Sequence, residues 1–269
     1  MKQADTIEVR ILGCGSSGGV PRLDGDWGDC DPYEAKNHRS RCSILVTGRS
    51  SGTDAVTRVL IDTSPDLRAQ FLSSGASHLD AVLFTHDHAD QCHGIDDLRA
   101  LAYRMKKLIP VYLDAPTHQS LTHRFAYCFE GRGGYPPILD ARLALEPLEP
   151  ITVEGAGGAI EFLPVDQEHG RIRSLGFRFG SFGYCNDVNI LPEESLEALR
   201  GVDVFIVDAL RYTPHPSHAH LELALEWIRR INPRQAYLTN LHIDMDYRTL
   251  LNELPSNVIP AFDGLTLTA

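Results

Sequence analysis

The chain has 269 residues, 43% of them hydrophobic and 23% charged, with a formal net charge of -11 at pH 7. That length supports a substantial core, while the acidic balance argues against an extended nucleic-acid surface, which needs an excess of Lys and Arg. No apolar run approaches membrane-spanning length, the opening Met1-Lys2-Gln3-Ala4-Asp5-Thr6 lacks the apolar centre of an export signal, and the six scattered cysteines contain no Cys-x-x-Cys pair. A cytoplasmic protein with reduced thiols and no membrane association is expected.

Ile7 to Leu12 alternates apolar and polar residues and reads as a first strand. It runs into Gly13-Cys14-Gly15-Ser16-Ser17-Gly18-Gly19-Val20-Pro21-Arg22, a loop whose bare backbone N–H groups suit an anion. Residues 23–40 are polar and turn-rich and predict an irregular excursion. A structural zinc on Cys30, His38 and Cys42 is not expected there, because the spacings are loose. Ser43 to Val46 and Arg58 to Ile61 predict paired strands, the second ending in Asp62-Thr63-Ser64-Pro65. Asp62 is a candidate to orient a ligand histidine, and Asp62 or Ser64 to cap a helix over 66–74.

The apolar run Ala81-Val82-Leu83-Phe84 then meets Thr85-His86-Asp87-His88-Ala89-Asp90-Gln91-Cys92-His93-Gly94. A segment with helical spacing follows, with Ile95, Leu98, Leu101 and Met105 on one face. The histidines therefore sit where a buried strand ends and a helix begins, the usual place for a ligand in an α/β sheet. His86 and His88 on one turn can point at a single ion, and Asp90 adds an oxygen; such a set suits zinc, manganese or iron.

Val111 to Leu113 reads as a short strand and Thr117 to Phe129 as a helix carrying His118 and His123 on its partly exposed side. Residues 131–150 are rich in Gly and Pro and predict a loop near the substrate entrance. Strands are expected at Ile151–Val153, at Ile160–Val165 leading to His169, at Ser174–Phe179 followed by Asn186-Asp187, and at Val204–Asp208. The last opens onto Arg211-Tyr212-Thr213-Pro214-His215-Pro216-Ser217-His218-Ala219-His220 and a helix with Leu221, Leu225 and Ile228 on one face. Ala236 to His242 reads as a strand ending in His242, and Val258–Pro260 with Leu265–Leu267 predicts a final hairpin. With no linker and no repeat, residues 1–269 read as one α/β domain, two packed sheets with helices outside.

Strand-end Asp or His residues recur at Asp62, His86/His88/Asp90, His169, Asp187 and His242. If the strand ends converge, three histidines and a shared carboxylate make one metal site. Two carboxylates and a further histidine make a second, and two ions about 3.5–4 Å apart would clamp both oxygens of a phosphate ester. Arg22, Arg171, Arg173 and Arg211 adjoin these loops and are candidates to grip a phosphate, with Arg211 favoured because it precedes the His218 loop.

In this order the chain resembles the metallo-β-lactamase superfamily. Asp62 after a strand, Thr-His-x-His-x-Asp at 85–90, His169, Asp187 and His242 match its ordered motifs over essentially the whole sequence. The opening Gly-x-Gly-Ser-Ser-Gly-Gly-Val-Pro and Thr239-Asn240-Leu241-His242-Ile243-Asp244 are similar to its phosphodiesterase branch, of the PhnP type that acts on phosphoribosyl cyclic phosphate.

The resemblance implies an αββα sandwich and two divalent ions, zinc or manganese. His86, His88 and His169 would hold one ion, Asp90 and His242 the second, with Asp187 bridging. It implies hydrolysis of a small cyclic phosphate or nucleotide-like ester by a metal-bound hydroxide, with Asp90 in the catalytic centre. His218 would be the general acid and His220 its alternative near the substrate. A small phosphate ester is the expected partner, and a homodimer is a permissible assembly.

Two departures stand out. The family usually has His after the motif Asp, where this chain has Gln91; that weakens the second ion's site, and His93 is a candidate replacement ligand. Of the N-terminal Cys cluster often present in the branch only Cys30 remains, so no structural zinc is expected. The same fold also serves an RNA-processing nuclease, thiolester hydrolysis, and a non-catalytic metabolite carrier of pyrroloquinoline quinone biosynthesis.

Overall fold

The computed structural model describes residues 2–269. In chain order the first sheet takes β1 (Thr6–Gly13), β2 (Ser43–Arg49), β3 (Val56–Ile61), β4 (Ala81–Leu83), β5 (Ile109–Leu113) and β6 (Leu139–Leu143). The second takes β7 (Ile151–Val153), β8 (Ile160–His169), β9 (Ile172–Phe179), β10 (Phe182–Cys185), β11 (Val204–Asp208), β12 (Gln235–Thr239) and β13 (Val258–Pro260). The chain then returns to the first sheet as β14 (Thr266–Thr268) beside β1. In each sheet hairpin-type antiparallel strands give way to parallel ones: β3–β6 run parallel in the first, β10–β13 in the second.

Alternation within the strands explains the layering. Val59 and Ile61 of β3 face an inter-sheet core with Phe162, Phe177, Phe179 and Ile206, while Leu60 between them turns outward to Leu67, Leu98 and Leu121. In β11, Val204 and Ile206 point to the same inter-sheet core, and Phe205 and Val207 point outward to Trp227 and Leu250. Both faces of these strands are covered, so they read as continuous apolar runs.

The outer covers are short helices. Over the first sheet lie α1 (Leu67–Ser74), α2 (Ala89–Cys92), α3 (Leu98–Met105), α4 (Ala115–Arg124) and α5 (Ala126–Glu130); over the second lie α6 (Glu193–Leu199), α7 (Leu221–Ile231) and α8 (Tyr247–Glu253). Helix α7 buries Ala224, Trp227, Ile228 and Ile231, one amphipathic stripe, and stops at Asn232 in the left-handed conformation. The expected αββα sandwich is therefore present. No helix among the described residues is long and apolar enough to cross a membrane.

Three local expectations are corrected. The expected helix 117–129 begins at Ala115 and breaks at Phe125 into α4 and α5. Residues 131–150 are not all loop, because β6 adds to the parallel edge by pairing with β5. The last two strands do not form a hairpin: β13 pairs with β12 and β14 with β1, so the chain end staples the two sheets together.

Candidate metal centre

The cavity lies where β3, β4, β8, β10, β11 and β12 end. Three of these ends carry a non-glycine residue at positive φ: Asp62 at 63°, Asp187 at 53° and Asn240 at 61°. Left-handed backbone costs about 1–2 kcal/mol for an ordinary residue and less for Asp and Asn, whose side chains bond locally. Such turns lift a polar side chain off a buried strand into the cavity. Close backbone packing fixes the His-rich turn: Thr63 N–H donates to Gln91 O at 2.7 Å and Gly94 N–H to Thr63 O at 2.9 Å. A Cβ at Gly94 would meet the Ser64 carbonyl oxygen. Leu175 N–H donates across to Thr85 O at 3.0 Å, tying the turn to the opposite sheet.

His86, His88 and His169 converge, with ring centroids 4.5–5.2 Å apart. His169 Nε2 lies 3.3 Å from His88 Nδ1. Behind the ring of His86 stands a relay. Its Nδ1 is 2.9 Å from Thr85 Oγ1, which donates to Asp62 Oδ2 at 2.9 Å, while Thr85 N–H donates to Asp62 Oδ1 at 2.9 Å. A hydroxyl that donates to Asp62 accepts from His86 Nδ1–H, so Nε2 keeps its lone pair. That Nε2 is buried and has no hydrogen-bond partner. His169 is set likewise: Nδ1–H donates to Ser217 O at 2.6 Å and leaves Nε2 facing the other rings.

Burial and the neighbouring imidazoles push the pKa of His86 well down. His169 falls to about 4 through burial and the charge of His218, against the Ser217 carbonyl. Buried imidazoles braced from behind, as His86 and His169 are, with the exposed His88 ring beside them, are a donor set that a divalent cation takes. Among the described residues the groups able to hold an ion are His86/His88/His169 and His169/Asp187/His218.

The opposite wall is different. Asp187 Oδ2 accepts from Gln91 Nε2 and from Asn186 Nδ2, each at 2.8 Å, and Oδ1 accepts from Asn240 Nδ2 at 3.1 Å. Gln91 Nε2 also reaches Asp90 Oδ2 at 3.2 Å. Burial and the charge of Asp90 raise the Asp187 carboxyl. His218 Nδ1 sits 2.9 Å from Asp208 Oδ2 and 3.5 Å from Asp187 Oδ1. Burial disfavours its charged form, but Asp208, aided by Asp187 and Asp90, outweighs this and lifts it to about 9.

Beside His218 opens a cavity of about 280 Å³ lined by Ser16, Ser17, Gly18, Arg22, Leu210, Arg211, His215, His218 and His242. It is rich in cationic and N–H groups.

Known proteins fit this arrangement. The family model described as "Beta-lactamase superfamily domain" matches residues 57–243. The chain belongs to the β-lactamase superfamily. A crystal structure of a new diphosphatase from the PhnP family is 32% identical, with a TM-score of 0.86, and the match covers 98% of this chain and 97% of that one. It places the chain with the PhnP family. The zinc-bound PqqB of Methylobacterium extorquens shares the fold at 16% identity, with a TM-score of 0.70 and coverage of 97% and 99%. An octanoyltransferase of Porphyromonas gingivalis is 33% identical over 259 residues; the match takes 95% of this chain, which spans only half the length of that relative.

Within the superfamily fold, His86, His88, His169, Asp187 and His218 are brought together, with Asp90 held at the rim by Gln91. His242 is not. Its Nδ1 is 2.9 Å from Asp244 Oδ1 and its Nε2 is 2.5 Å from Arg22 Nη2, so it forms part of the cationic cavity wall and the expected second-ion set is not assembled. The expected strand does not run on to His242: β12 stops at Thr239 and the chain turns at Asn240, with φ of 61°, so the alternation that would put Asn240 and His242 on one face is broken.

His220 precedes α7 and lines neither the metal group nor the cavity. His93 pairs with Arg124 at 2.8 Å and packs on Phe125, so it does not replace a ligand. Arg211 lines the cavity but donates to Thr213 O and Pro214 O, which shapes its own turn. Arg173 pairs with Asp166. Sequence reasoning missed Asp208 and Asn240, for which the available signals are a carboxylate closing an apolar strand and an amide beside an expected ligand. Gln91, expected to weaken the second ion's site, is an amide donor to Asp187 and Asp90.

Proposed function

We propose that the chain is a metal-dependent hydrolase acting on a small phosphoric diester or diphosphate. The observation that carries the reading is the cavity lined by the guanidinium groups of Arg22 and Arg211 with the imidazoles of His215 and His242, which adjoins the His86, His88 and His169 rings through His218. A divalent cation on His86, His88 and His169, zinc or manganese, would supply charge stabilisation at the phosphoryl group and a water of lowered pKa.

The protein's own groups account for the rest. Arg22 stands over the cavity as a guanidinium for phosphate oxygens, and the Ser16–Gly18 segment adds N–H and hydroxyl donors. His218, its Nδ1 fixed by Asp208, presents Nε2 to the cavity as the proton donor for the leaving oxygen. A cavity of about 280 Å³ suits a small ester more than an RNA chain, as does the net charge of -11. The diphosphatase named for the PhnP-family relative supports a diphosphate as one form of the substrate.

The test is hydrolysis by protein loaded with zinc and, separately, with manganese. Bis(p-nitrophenyl) phosphate, a cyclic ribose phosphate and a dinucleoside diphosphate are the substrates. A phosphate monoester and an octanoyl thioester are the controls, the latter because of the longer relative's name. Cleavage of the diesters or the diphosphate without the controls is expected. Thioester cleavage with no phosphate turnover would sink the reading.

A further inference from the structure

We propose that this site takes one metal ion per chain, on the imidazole side. The side-chain amides of Gln91 and Asn240 stand where a second ion would need to lie, against Asp90 and Asp187. The inference rests on the metal-binding reading of His86, His88 and His169.

The argument is one of occupied lone pairs. A carboxylate that bridges two ions must turn an oxygen to each. Three N–H donors already take most of Asp187: Gln91 and Asn186 fill Oδ2, and Asn240 takes one side of Oδ1, whose other side faces His218 Nδ1 at 3.5 Å. The Gln91 NH₂ group also reaches Asp90, at 3.2 Å, so one amide nitrogen sits between the two carboxylates, in the place of a cation. Gln91 is fully buried and Asn240 is 1% exposed, so neither can swing to water. Displacing them would leave amide groups buried and unpaired.

Rotating the Gln91 amide would turn its oxygen to Asp90 and Asp187 and break the N–H hydrogen bonds it makes to both. As placed, that oxygen is itself buried and without a partner, so the N–H donors face the acids at the expense of the other end. His242, the imidazole expected to complete a second set, is committed to Asp244 and Arg22. On the other wall the buried His86 Nε2 has no partner at all. The group that Asp187 forms with His218 draws on His169 as well, and His169 has one free nitrogen, Nε2, so that group and the three imidazoles compete for a single ion.

The deciding experiment is metal stoichiometry of the full chain after equilibration with excess zinc, or with manganese, and removal of free ion, read by elemental analysis. Wild type should hold about one equivalent, His169→Ala close to none, and Gln91→His/Asn240→His about twice the wild-type content. Two equivalents in wild type would overturn the inference while leaving the metal-dependent reading intact. None in wild type with either metal would overturn that reading, and this one with it. If the double variant fails to fold, Gln91→Ala serves. It removes the NH₂ group that stands between Asp90 and Asp187, so metal content should rise above one equivalent; content still at one would overturn the assignment of the Gln91 amide as the group that keeps a second ion out.

Discussion

On the β4–β8 side of the cavity, His86 and His169 are braced from behind by Thr85–Asp62 and by the Ser217 carbonyl, and their forward nitrogens are left bare. On the β10–β12 side, Asp187 is equally buried, but three amide N–H donors meet its oxygens and His218 faces the remaining side. Both walls are polar and both end buried strands. The difference is which groups keep an unpaired lone pair, and that, rather than the number of potential ligands, decides where a cation is held. Variants that strip the open wall should therefore have the largest effect, and those that loosen the frame behind the closed wall the smallest.

Removing a bare imidazole comes first. His86→Ala or His169→Ala should abolish stoichiometric metal and lower phosphate-ester turnover by about a thousandfold or more. Elemental analysis and kinetics on the same preparations check this; full metal content in both variants would show that the converging nitrogens are not the ligands. His218→Asn should lower kcat by about 10²–10⁴ with metal content unchanged, because Asp208 already holds its Nδ1. Equal loss of metal in that variant would instead make His218 a ligand through the group it forms with His169 and Asp187.

Effects of intermediate size belong to the braces. Asp62→Asn leaves the shape but replaces one of the two oxygens that accept from Thr85 with an NH₂ donor, and should weaken metal affinity about 10–100-fold. A competition titration with a chelating dye measures it. Unchanged affinity would mean that the relay does not set the tautomer of His86. In the cationic cavity, Arg22→Ala should raise KM about tenfold with little change in kcat, and Arg22→Lys less. A pure kcat effect would move Arg22 from substrate grip to the chemistry.

Much of the open wall was legible in the sequence because it obeys a local rule: an apolar run such as Ala81–Phe84 followed by Thr-His-x-His-x-Asp announces itself without tertiary information. The two-sheet fold was legible for the same reason, as the runs 58–61 and 204–208 are buried on both faces. The closed wall was not. Whether Asn240 or His242 enters the cavity depends on a left-handed turn at one residue, with φ of 61° at Asn240, which no spacing rule discloses. The end of the chain misled in another way: two short apolar runs around a turn look like a hairpin, yet β13 and β14 join opposite sheets because each meets an open edge there.

The smallest effect lies behind the closed wall, at Asp246. Its carboxylate caps α8 by accepting from Thr249 N–H and Oγ1, each at 2.9 Å. It also accepts from Asn37 Nδ2 at 2.7 Å and Asp31 N–H at 3.2 Å, which ties residues 31–37 to the loop that carries His242. Burial opposes ionisation, but these donors prevail and hold its pKa down at about 2. A depressed carboxylate stabilises the fold above the unfolded value, near 3.8, and that contribution is lost as pH falls towards 2. Asp246→Ala should therefore cost about 1–2 kcal/mol at pH 7 in denaturant unfolding, and the gap to wild type should narrow from about pH 4 downward. Metal content should not change, because no ligand on the open wall hangs from this loop. A loss of metal equal to the loss of stability would mean that the two walls are not independent, and the contrast between them would fail there.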